Sequence, residues 1–212
     1  MRNPREWGVY LVTDRHQTGG RDLLDVVGRA LAAGVRAVQL REKDLPTRDL
    51  YHLAEKLLAK TRAAGAALLI NDRVDVAMAL AADGVHLTRR SLPPRESRAL
   101  LGPGRLIGVS AHSLADVREA EDGGADFVAL GPIFETPSKA AYGPPLTTAP
   151  LREARAMTGL PILAIGGIQV TRVPEVMTDG ADGIAVISAV MAAPDPGRAA
   201  AALLAAVSAA HR

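Results

Sequence analysis

The 212-residue chain contains no cysteine and few aromatic residues: one tryptophan, three tyrosines and two phenylalanines. The absence of cysteine excludes disulfides, thiolate metal sites and a cysteine nucleophile. Alanine and glycine are abundant, and together with the few aromatic side chains they favour closely packed helices over two stacked sheets. Hydrophobic residues make up 48% of the chain, which is enough for a full core.

Long apolar runs and clusters of charge are also missing. No apolar run reaches 18 residues, and the start of the chain, Met1–Trp7, lacks the apolar region of a signal peptide. The net charge is only +2, and lysine and arginine are spread along the chain, so no basic stripe indicates nucleic acid. We therefore expect a cytoplasmic protein without membrane or nucleic-acid partners. Its alanine-rich helical faces are compatible with a homodimer.

Short apolar runs alternate with longer amphipathic segments along the chain, which predicts repeated βα units. The predicted strands are Gly8–Thr13, Ala37–Leu40, Ala67–Ile70, Gly84–Leu87, Leu106–Val109, Phe127–Leu130, Ile162–Ile165 and Gly183–Ile187. The predicted helices are Leu23–Ala33, Thr47–Ala64, Val74–Ala81, Pro94–Leu101, Leu114–Gly123, Ala149–Thr158, Thr171–Asp179 and Pro196–Ala210.

Eight strands and eight helices favour a single (β/α)8 TIM barrel, with residues 1–212 forming one domain. An open doubly wound sheet would carry a glycine fingerprint after its first strand, but Thr13–His16 stands there. Related short motifs also recur before strands 2, 4, 6 and 8, and each indicates a turn in which a helix ends on glycine. They are Ala-Gly-Val-Arg-Ala-Val, Ala-Asp-Gly-Val-His, Gly-Ala-Asp-Phe-Val and Gly-Ala-Asp-Gly-Ile.

Anion-binding residues follow the sixth, seventh and eighth strands. Thr136, Ser138 and Lys139 supply two hydroxyls and an ammonium group within four residues, which suits a phosphorylated or diphosphorylated small molecule. Gly166 and Gly167 allow close approach to a backbone, and Ser188 is predicted to open a helix. The loops after strands 7 and 8, together with a helix N-terminus, form the usual phosphate site of a TIM barrel.

The end of strand 2 carries a second group of anion-binding side chains. Gln39, Arg41 and Lys43 alternate with Leu40 and Glu42, so an extended chain places the amide and both cations on one face. One interpretation is an anion-binding face at the mouth of the barrel. The other is a solvated loop in which Glu42 pairs with a cation.

Further polar residues follow strands 3, 4 and 5. Asp72, after Asn71, either caps the following helix or holds Mg²⁺, which prefers one or two carboxylates with phosphate oxygens. His86 is either a satisfied core histidine or a catalytic one. Ser110 and His112 share a face, but no acid stands in register with them, which argues against Ser-His-Asp hydrolysis.

Taken together, these segments resemble the thiamine phosphate synthase family and the related thiazole tautomerase (TenI) family along nearly the whole chain. The shared blocks are Tyr10–Asp14, Gln39–Lys43, Ile70–Asp75, Gly84–Leu87, Gly108–His112, Gly131–Phe134, Thr136–Lys139, Ile165–Ile168, Gly180–Gly183 and Ile187–Ser188. Synthases join hydroxymethylpyrimidine diphosphate to a thiazole phosphate and release pyrophosphate with the help of Mg²⁺.

The resemblance implies a role for each matching residue. The pyrimidine diphosphate would bind at Gln39, Leu40, Arg41, Glu42, Lys43, Asn71, Ser110 and Lys139. The thiazole phosphate would bind at Thr136, Pro137, Ser138, Gly166, Gly167, Ile187 and Ser188. The catalytic set would be Arg41, Lys43, Ser110, His112 and Lys139. The two metal-binding aspartates of synthases would fall at Asp72 and at position 91, where this chain has Ser91.

Ser91 divides the functional hypotheses. The first is a synthase with a weakened Mg²⁺ site, in which Arg89 and Arg90 either contact the diphosphate directly or are surface charges. The second is a TenI-type tautomerase that binds only a thiazole phosphate carboxylate and moves a proton, with His112 as its candidate acid or base. The third is a phosphate-binding regulatory barrel without catalysis.

Overall fold

The computed structural model of the chain describes residues 3–136 and 144–211. Eight parallel strands pair in sequence order and close into a barrel, with β1 bonded to both β2 and β8. The strands are β1 (Val9–Val12), β2 (Ala37–Leu40), β3 (Ala67–Asn71), β4 (Gly84–Leu87), β5 (Leu106–Ala111), β6 (Phe127–Leu130), β7 (Ile162–Ile165) and β8 (Gly183–Val186). The predicted (β/α)8 barrel is confirmed.

Helices connect the strands on the outside of the barrel. Within the described residues they are α1 (Leu23–Ala32), α2 (Thr47–Ala63), α3 (Val74–Ala79), α4 (Pro94–Leu101), α5 (Leu114–Asp122), α6 (Ala149–Met157), α7 (Val173–Thr178), α8 (Ser188–Met191) and α9 (Pro196–Ala210). None of these described helices is long and apolar enough to cross a membrane. That residues 1–212 form one domain stays a prediction.

Strand β5 and helix α7 differ from their predicted bounds by two residues at one end, and helix α8 is additional to the eight predicted helices. Strand β5 continues to Ala111 because Ser110 and Ala111 still pair with β6, so Ser110 lies on the strand and not after it. Helix α7 begins at Val173, after a 3₁₀ turn over Val170–Arg172, and Pro174 occupies its first turn. Helix α8 is an additional short helix, and it begins at Ser188 as predicted for that residue.

Aromatic rings fill the barrel interior toward the amino ends of the strands. Trp7 and Tyr10 each meet the Phe127 ring edge to face, at centroid distances of 5.1 and 5.5 Å, and all three side chains are buried. Gly108 leaves the space that they need, since a Cβ at this position would lie 2.2 Å from Cζ of Phe127. A second, larger apolar cluster lies between the barrel and its helices.

Aspartates recur in three of the four repeated motifs, those before β4, β6 and β8. Each aspartate carboxylate accepts a hydrogen bond from a backbone amide near the start of the neighbouring odd-numbered strand, at 2.7 to 2.9 Å. Arg98 pairs with the Asp126 carboxylate at 2.6 Å, and Arg155 pairs with the Asp182 carboxylate at 2.9 Å. The amide donors are Leu68 for Asp83, Ile107 for Asp126 and Ile162 for Asp182.

We expect Asp126→Ala to lower the free energy of unfolding by about 2–3 kcal/mol, because the Ile107 amide loses its acceptor and the Arg98 guanidinium loses its carboxylate partner. Chemical denaturation measures this change. Asp122→Ala is the matched control, since Asp122 is exposed at the end of α5, and its effect should stay within about 0.5 kcal/mol. Equal effects of the two substitutions would contradict the role given to the recurring aspartates.

Candidate active site

The end of β2 presents alternate side chains to opposite sides of the barrel wall. Gln39 is buried inside the barrel, where its Nε2 donates to the Tyr10 hydroxyl at 3.2 Å. Leu40 packs in the outer apolar cluster, so its side chain is turned away from the interior. Arg41 is half-buried, and its charge acts on His86, which is also buried inside the barrel. Lys43 is exposed on the following loop.

Glu42 fixes the backbone of this segment. Its buried carboxylate accepts hydrogen bonds from the Thr13 hydroxyl at 2.7 Å and from the backbone amide and guanidinium of Arg15 at 3.1 to 3.2 Å. The Thr13 hydroxyl in turn accepts from the Arg41 backbone amide at 2.9 Å. Glu42 does pair with a cation, but in a buried network and not in a solvated loop. Its side chain therefore orients Arg41, and the structure turns it away from a ligand at the mouth.

Arg15 also ties the loop after β1 to the loop after β2. Its two terminal nitrogens each donate to one Asp44 carboxylate oxygen at 2.6 Å. His16 contacts the same carboxylate at 2.9 Å. Hydrogen bonds from Arg15 and then His16 hold the pKa of Asp44 well below its ordinary value, so this pairing persists at neutral pH.

Two oxygen-bearing side chains, those of Asn71 and Asp72, lie at the end of β3. The Asn71 Oδ1 atom is buried and has no hydrogen-bond partner. Asp72 is exposed and adopts a left-handed backbone with φ of 65°, while its amide donates to the His86 carbonyl at 2.9 Å. No side chain caps α3, so the prediction that Asp72 is a helix cap is wrong. The Asp72 carboxylate is therefore not used as a helix cap, and the alternative in which it holds Mg²⁺ requires this.

Ser91 does not present a second ligand in the same way. Its Oγ accepts from the Thr88 amide at 2.8 Å and lies 3.2 Å from the Thr88 hydroxyl, which commits it to the turn after β4. Within residues 3–136 and 144–211 no group of three or more histidine, aspartate or glutamate side chains could hold a metal ion. The oxygens of Asn71 and Asp72 fit only an ion that completes its coordination with substrate oxygens and water.

His86 lies between two hydroxyl groups inside the barrel. Its Nδ1 is 3.3 Å from the Tyr10 hydroxyl and its Nε2 is 3.0 Å from the Ser110 hydroxyl. Burial, with a smaller effect from the Arg41 charge, lowers the pKa of His86 to about 3. The ring is therefore neutral at physiological pH, and the interpretation of His86 as a satisfied core histidine is confirmed.

The end of β5 is held by helix α5. Ser113 caps this helix by accepting from the Asp116 amide, and Asp116 accepts from the His112 backbone amide at 2.7 Å. The Nδ1 of His112 donates to the Gly131 carbonyl at 2.5 Å, which joins β5 to the loop after β6. Arg89 bonds both oxygens of Asp116, so its guanidinium is committed to α5 and matches the surface-charge alternative.

Glycine allows the loop after β7 to pack against the loop after β6. Gly167 has a φ of +64°, and a Cβ there would lie 2.8 Å from the Glu135 carbonyl oxygen. Arg172 fastens the two loops, since it donates to the Gly167 carbonyl at 2.9 Å and stacks over the Phe134 ring at 4.4 Å. The Gly167 backbone thereby reaches the rim without an intervening side chain.

The remaining predicted phosphate residues lie on the same rim or outside the described part of the chain. Gly166 and Thr136 are half-buried in the loops after β7 and β6. Ile187 packs against the interior cluster, and Ser188 is exposed as the first residue of α8. Pro137, Ser138 and Lys139 lie outside the described residues.

Three residues near the site were missed from the sequence. Tyr10 faces the interior and joins the Gln39 side chain to His86, whereas Thr13 and Arg15 bind Glu42. The signal for Tyr10 was available, because it stands two positions before Val12 on the inward face of β1. Thr13 and Glu42 come together only through the register of β1 on β2, which places Val12 beside Gln39.

The amide, cationic, hydroxyl and glycine groups lie at the carboxyl ends of the strands, where (β/α)8-barrel enzymes carry their active sites. The thiamine monophosphate synthase (TMP-TENI) family model matches residues 9–190, and the chain belongs to this family. A Geobacter sulfurreducens protein is 53% identical over 94% of both chains. The thiamine-phosphate synthase of Roseiflexus castenholzii is 48% identical over 89% of this chain and 82% of its own.

A solved structure agrees with these sequence comparisons. The thiamine phosphate pyrophosphorylase of Pyrococcus furiosus superposes with a TM-score of 0.89, at 36% identity, over 98% of both chains. The predicted membership of the synthase and TenI superfamily is therefore confirmed.

The buried neutral His86 gives a prediction for stability against pH. Its pKa is about 3 in the folded protein, below the ordinary 6.5, so the unfolded chain binds an extra proton between these values. The contribution of the neutral His86 to the free energy of unfolding should be fully present above pH 6.5. The free energy of unfolding should then fall by roughly 1 kcal/mol per pH unit between pH 6 and 4.5. Denaturation of the wild type and His86→Gln measures the slope, which the variant should lose. The exposed control His52→Gln should keep it, and a slope retained in His86→Gln would contradict the assignment.

Proposed function

We propose that the chain is a thiamine-phosphate synthase, which joins hydroxymethylpyrimidine diphosphate to hydroxyethylthiazole phosphate and releases pyrophosphate. Relatives named thiamine-phosphate synthase at 44 to 48% identity over most of the chain support this activity. The structural observation that carries it is the end of β2, where Thr13, bound to the buried Glu42, accepts from the Arg41 backbone amide. The half-buried Arg41 carries a charge that contributes to the lowered pKa of the buried His86. This arrangement prepares a cation for an anionic leaving group at the mouth.

The reaction moves one electron pair at each end of a transferred carbon. The bond from the pyrimidine methylene carbon to the diphosphate oxygen breaks, and its electrons leave with the diphosphate. The thiazole nitrogen supplies the electron pair for the new carbon–nitrogen bond. Arg41 and Lys43 would stabilise the charge that develops on the leaving oxygens. Gln39, Asn71 and Ser110 would orient the pyrimidine diphosphate, and Lys139 would contact it in accordance with the family pattern.

The thiazole phosphate would bind on the other half of the rim. Gly166 and Gly167 would bring backbone amides close to its phosphate, with Thr136, Pro137, Ser138, Ile187 and Ser188 completing the family pattern. Asp72 would hold Mg²⁺, which when bound neutralises charge on the diphosphate. Ser91, committed to the turn after β4, would leave this site with one protein carboxylate.

The tautomerase and the regulatory barrel are the two competing functions. Both need the thiazole phosphate half of the rim but neither needs the cations at the end of β2. We also propose small phosphorylated substrates, a cytoplasmic location and a homodimer, without nucleic-acid or membrane partners; sedimentation of the purified protein tests the homodimer.

The direct test supplies both substrates with millimolar Mg²⁺ and measures thiamine phosphate. Arg41→Met should lower kcat/KM for the pyrimidine diphosphate by about 100-fold or more, because a charge at the leaving group is lost. Arg48→Met, on the exposed face of α2, should change it by less than about twofold. Wild-type protein that forms no thiamine phosphate but aromatises the thiazole carboxylate would establish the tautomerase. Binding without turnover in either assay would establish the regulatory barrel.

Metal dependence gives a separate prediction. Asp72→Asn should raise the Mg²⁺ concentration for half-maximal activity by about tenfold or more, since it removes the protein's carboxylate ligand. Asp49→Asn, on the first turn of α2, should leave this concentration unchanged. Ser91→Asp should lower it, because a second carboxylate joins the site. An unchanged Mg²⁺ requirement in both Asp72→Asn and Ser91→Asp would show that this end of the barrel does not hold the metal.

A further inference from the structure

We propose that His86 is a positioning residue: with Tyr10 setting its tautomer, it holds the Ser110 hydroxyl as a hydrogen-bond donor toward the barrel mouth. The groups involved form a continuous chain across the interior, from Gln39 on β2 through Tyr10 on β1 and His86 on β4 to Ser110 on β5. The consequence for activity rests on the proposed function. The arrangement of protons does not.

Tyr10 decides which group donates in each of these hydrogen bonds. The Gln39 Nε2 group donates to the Tyr10 oxygen at 3.2 Å, so the phenolic proton must go to a different partner. The Nδ1 of His86, 3.3 Å away, is the partner that the structure provides. Tyr10 is fully buried, and this burial raises the pKa of its hydroxyl, which keeps the proton on the phenol.

The donor at Tyr10 in turn decides which nitrogen of the His86 ring carries the proton and donates to Ser110. A neutral imidazole carries one proton, so an accepting Nδ1 requires the proton to be on Nε2. The Nε2–H group donates to the Ser110 oxygen at 3.0 Å. Since this oxygen now accepts inside the barrel, its own hydrogen is directed to a ligand. The group that Ser110 recognises is therefore an acceptor, such as a diphosphate oxygen or a pyrimidine ring nitrogen.

The surrounding packing keeps the ring in this orientation. His86 stacks at a tilt beside Tyr10 and Phe127, with centroid distances of 5.7 and 5.8 Å. Gly108 is part of the same arrangement, because a Cβ at this position would lie 2.8 Å from Nδ1 of His86. A rotation of the ring would separate both nitrogens from their hydroxyl partners, and each would be left buried without a hydrogen bond.

The proton order can be measured without substrate. Long-range ¹H–¹⁵N spectra of the wild-type protein, with His86 assigned through His86→Gln, should show Nε2 protonated and Nδ1 unprotonated at pH 7.5. In Tyr10→Phe the donor to Nδ1 is gone, and we expect the tautomer population to shift toward protonated Nδ1. A wild-type ring protonated on Nδ1, or a tautomer that does not respond to Tyr10→Phe, would overturn the proposal even if the synthase activity is confirmed.

The kinetic arm compares two amides at position 86. A glutamine amide can occupy the place of Nε2 and donate to Ser110, whereas an asparagine amide reaches only the place of Nδ1. We expect His86→Gln to retain kcat/KM for the pyrimidine diphosphate within about tenfold. His86→Asn, Tyr10→Phe and Ser110→Ala should each lose roughly 10- to 100-fold in the same kcat/KM. The double variant Tyr10→Phe with Ser110→Ala should be no worse than Ser110→Ala alone.

Two controls separate positioning from general destabilisation. Tyr51→Phe, on α2, removes a hydroxyl that takes no part in the hydrogen bonds from Gln39 to Ser110, and this variant should keep the wild-type kcat/KM. In all folded variants, verified by circular dichroism, KM for the thiazole phosphate should change by less than about twofold. Equal activities of His86→Gln and His86→Asn, or additive losses in the double variant, would overturn the positioning role.

Discussion

The alternation of side chains in a closed parallel barrel decides which residues can meet at its mouth. Each strand sends every second residue inward, and the closed ring of eight strands holds the register of each strand against its neighbours. Gln39 and Arg41 are therefore inward while Leu40 and Glu42 are outward. A slip of one residue on β2 would place Glu42 in the barrel and remove the cation from it.

The inward positions must satisfy two opposing requirements. Near the amino ends of the strands they are apolar, and Trp7 and Phe127 exclude water there. Toward the carboxyl ends they are polar, and a buried polar group that lacks a hydrogen-bond partner costs free energy. The side chains of Gln39, Tyr10, His86 and Ser110 avoid this cost through successive hydrogen bonds, in each of which the earlier side chain of this series donates to the next. The chemistry at the mouth thus depends on an ordered interior as well as on residues of the rim.

Much of the fold and part of the site could be predicted from the sequence. The eight strands follow from local apolar periodicity, and the facing pattern of Gln39 and Arg41 follows from alternation alone. Long-range contacts could not be predicted in this way. The burial of Glu42 depends on the pairing of β1 with β2. Asp72 does not cap α3, because Arg73 occupies the N-cap position and no side chain bonds the helix amides there. Local spacing also could not show that Ser91 is bound to Thr88.

We propose that an anion binds at the carboxyl ends of the strands, beside Arg41 and Asp72. The most direct measurement is a titration of the ¹⁵N-labelled protein with inorganic pyrophosphate and Mg²⁺, followed through its backbone amide signals. We predict saturable shifts for the amides of Arg41, Asp72 and Ser110. The amides of Leu68, Ile107 and Ile162, which bind the recurring aspartates at the opposite end, should stay unchanged. Shifts confined to those opposite-end amides, or no saturable shifts at the carboxyl ends, would contradict the account.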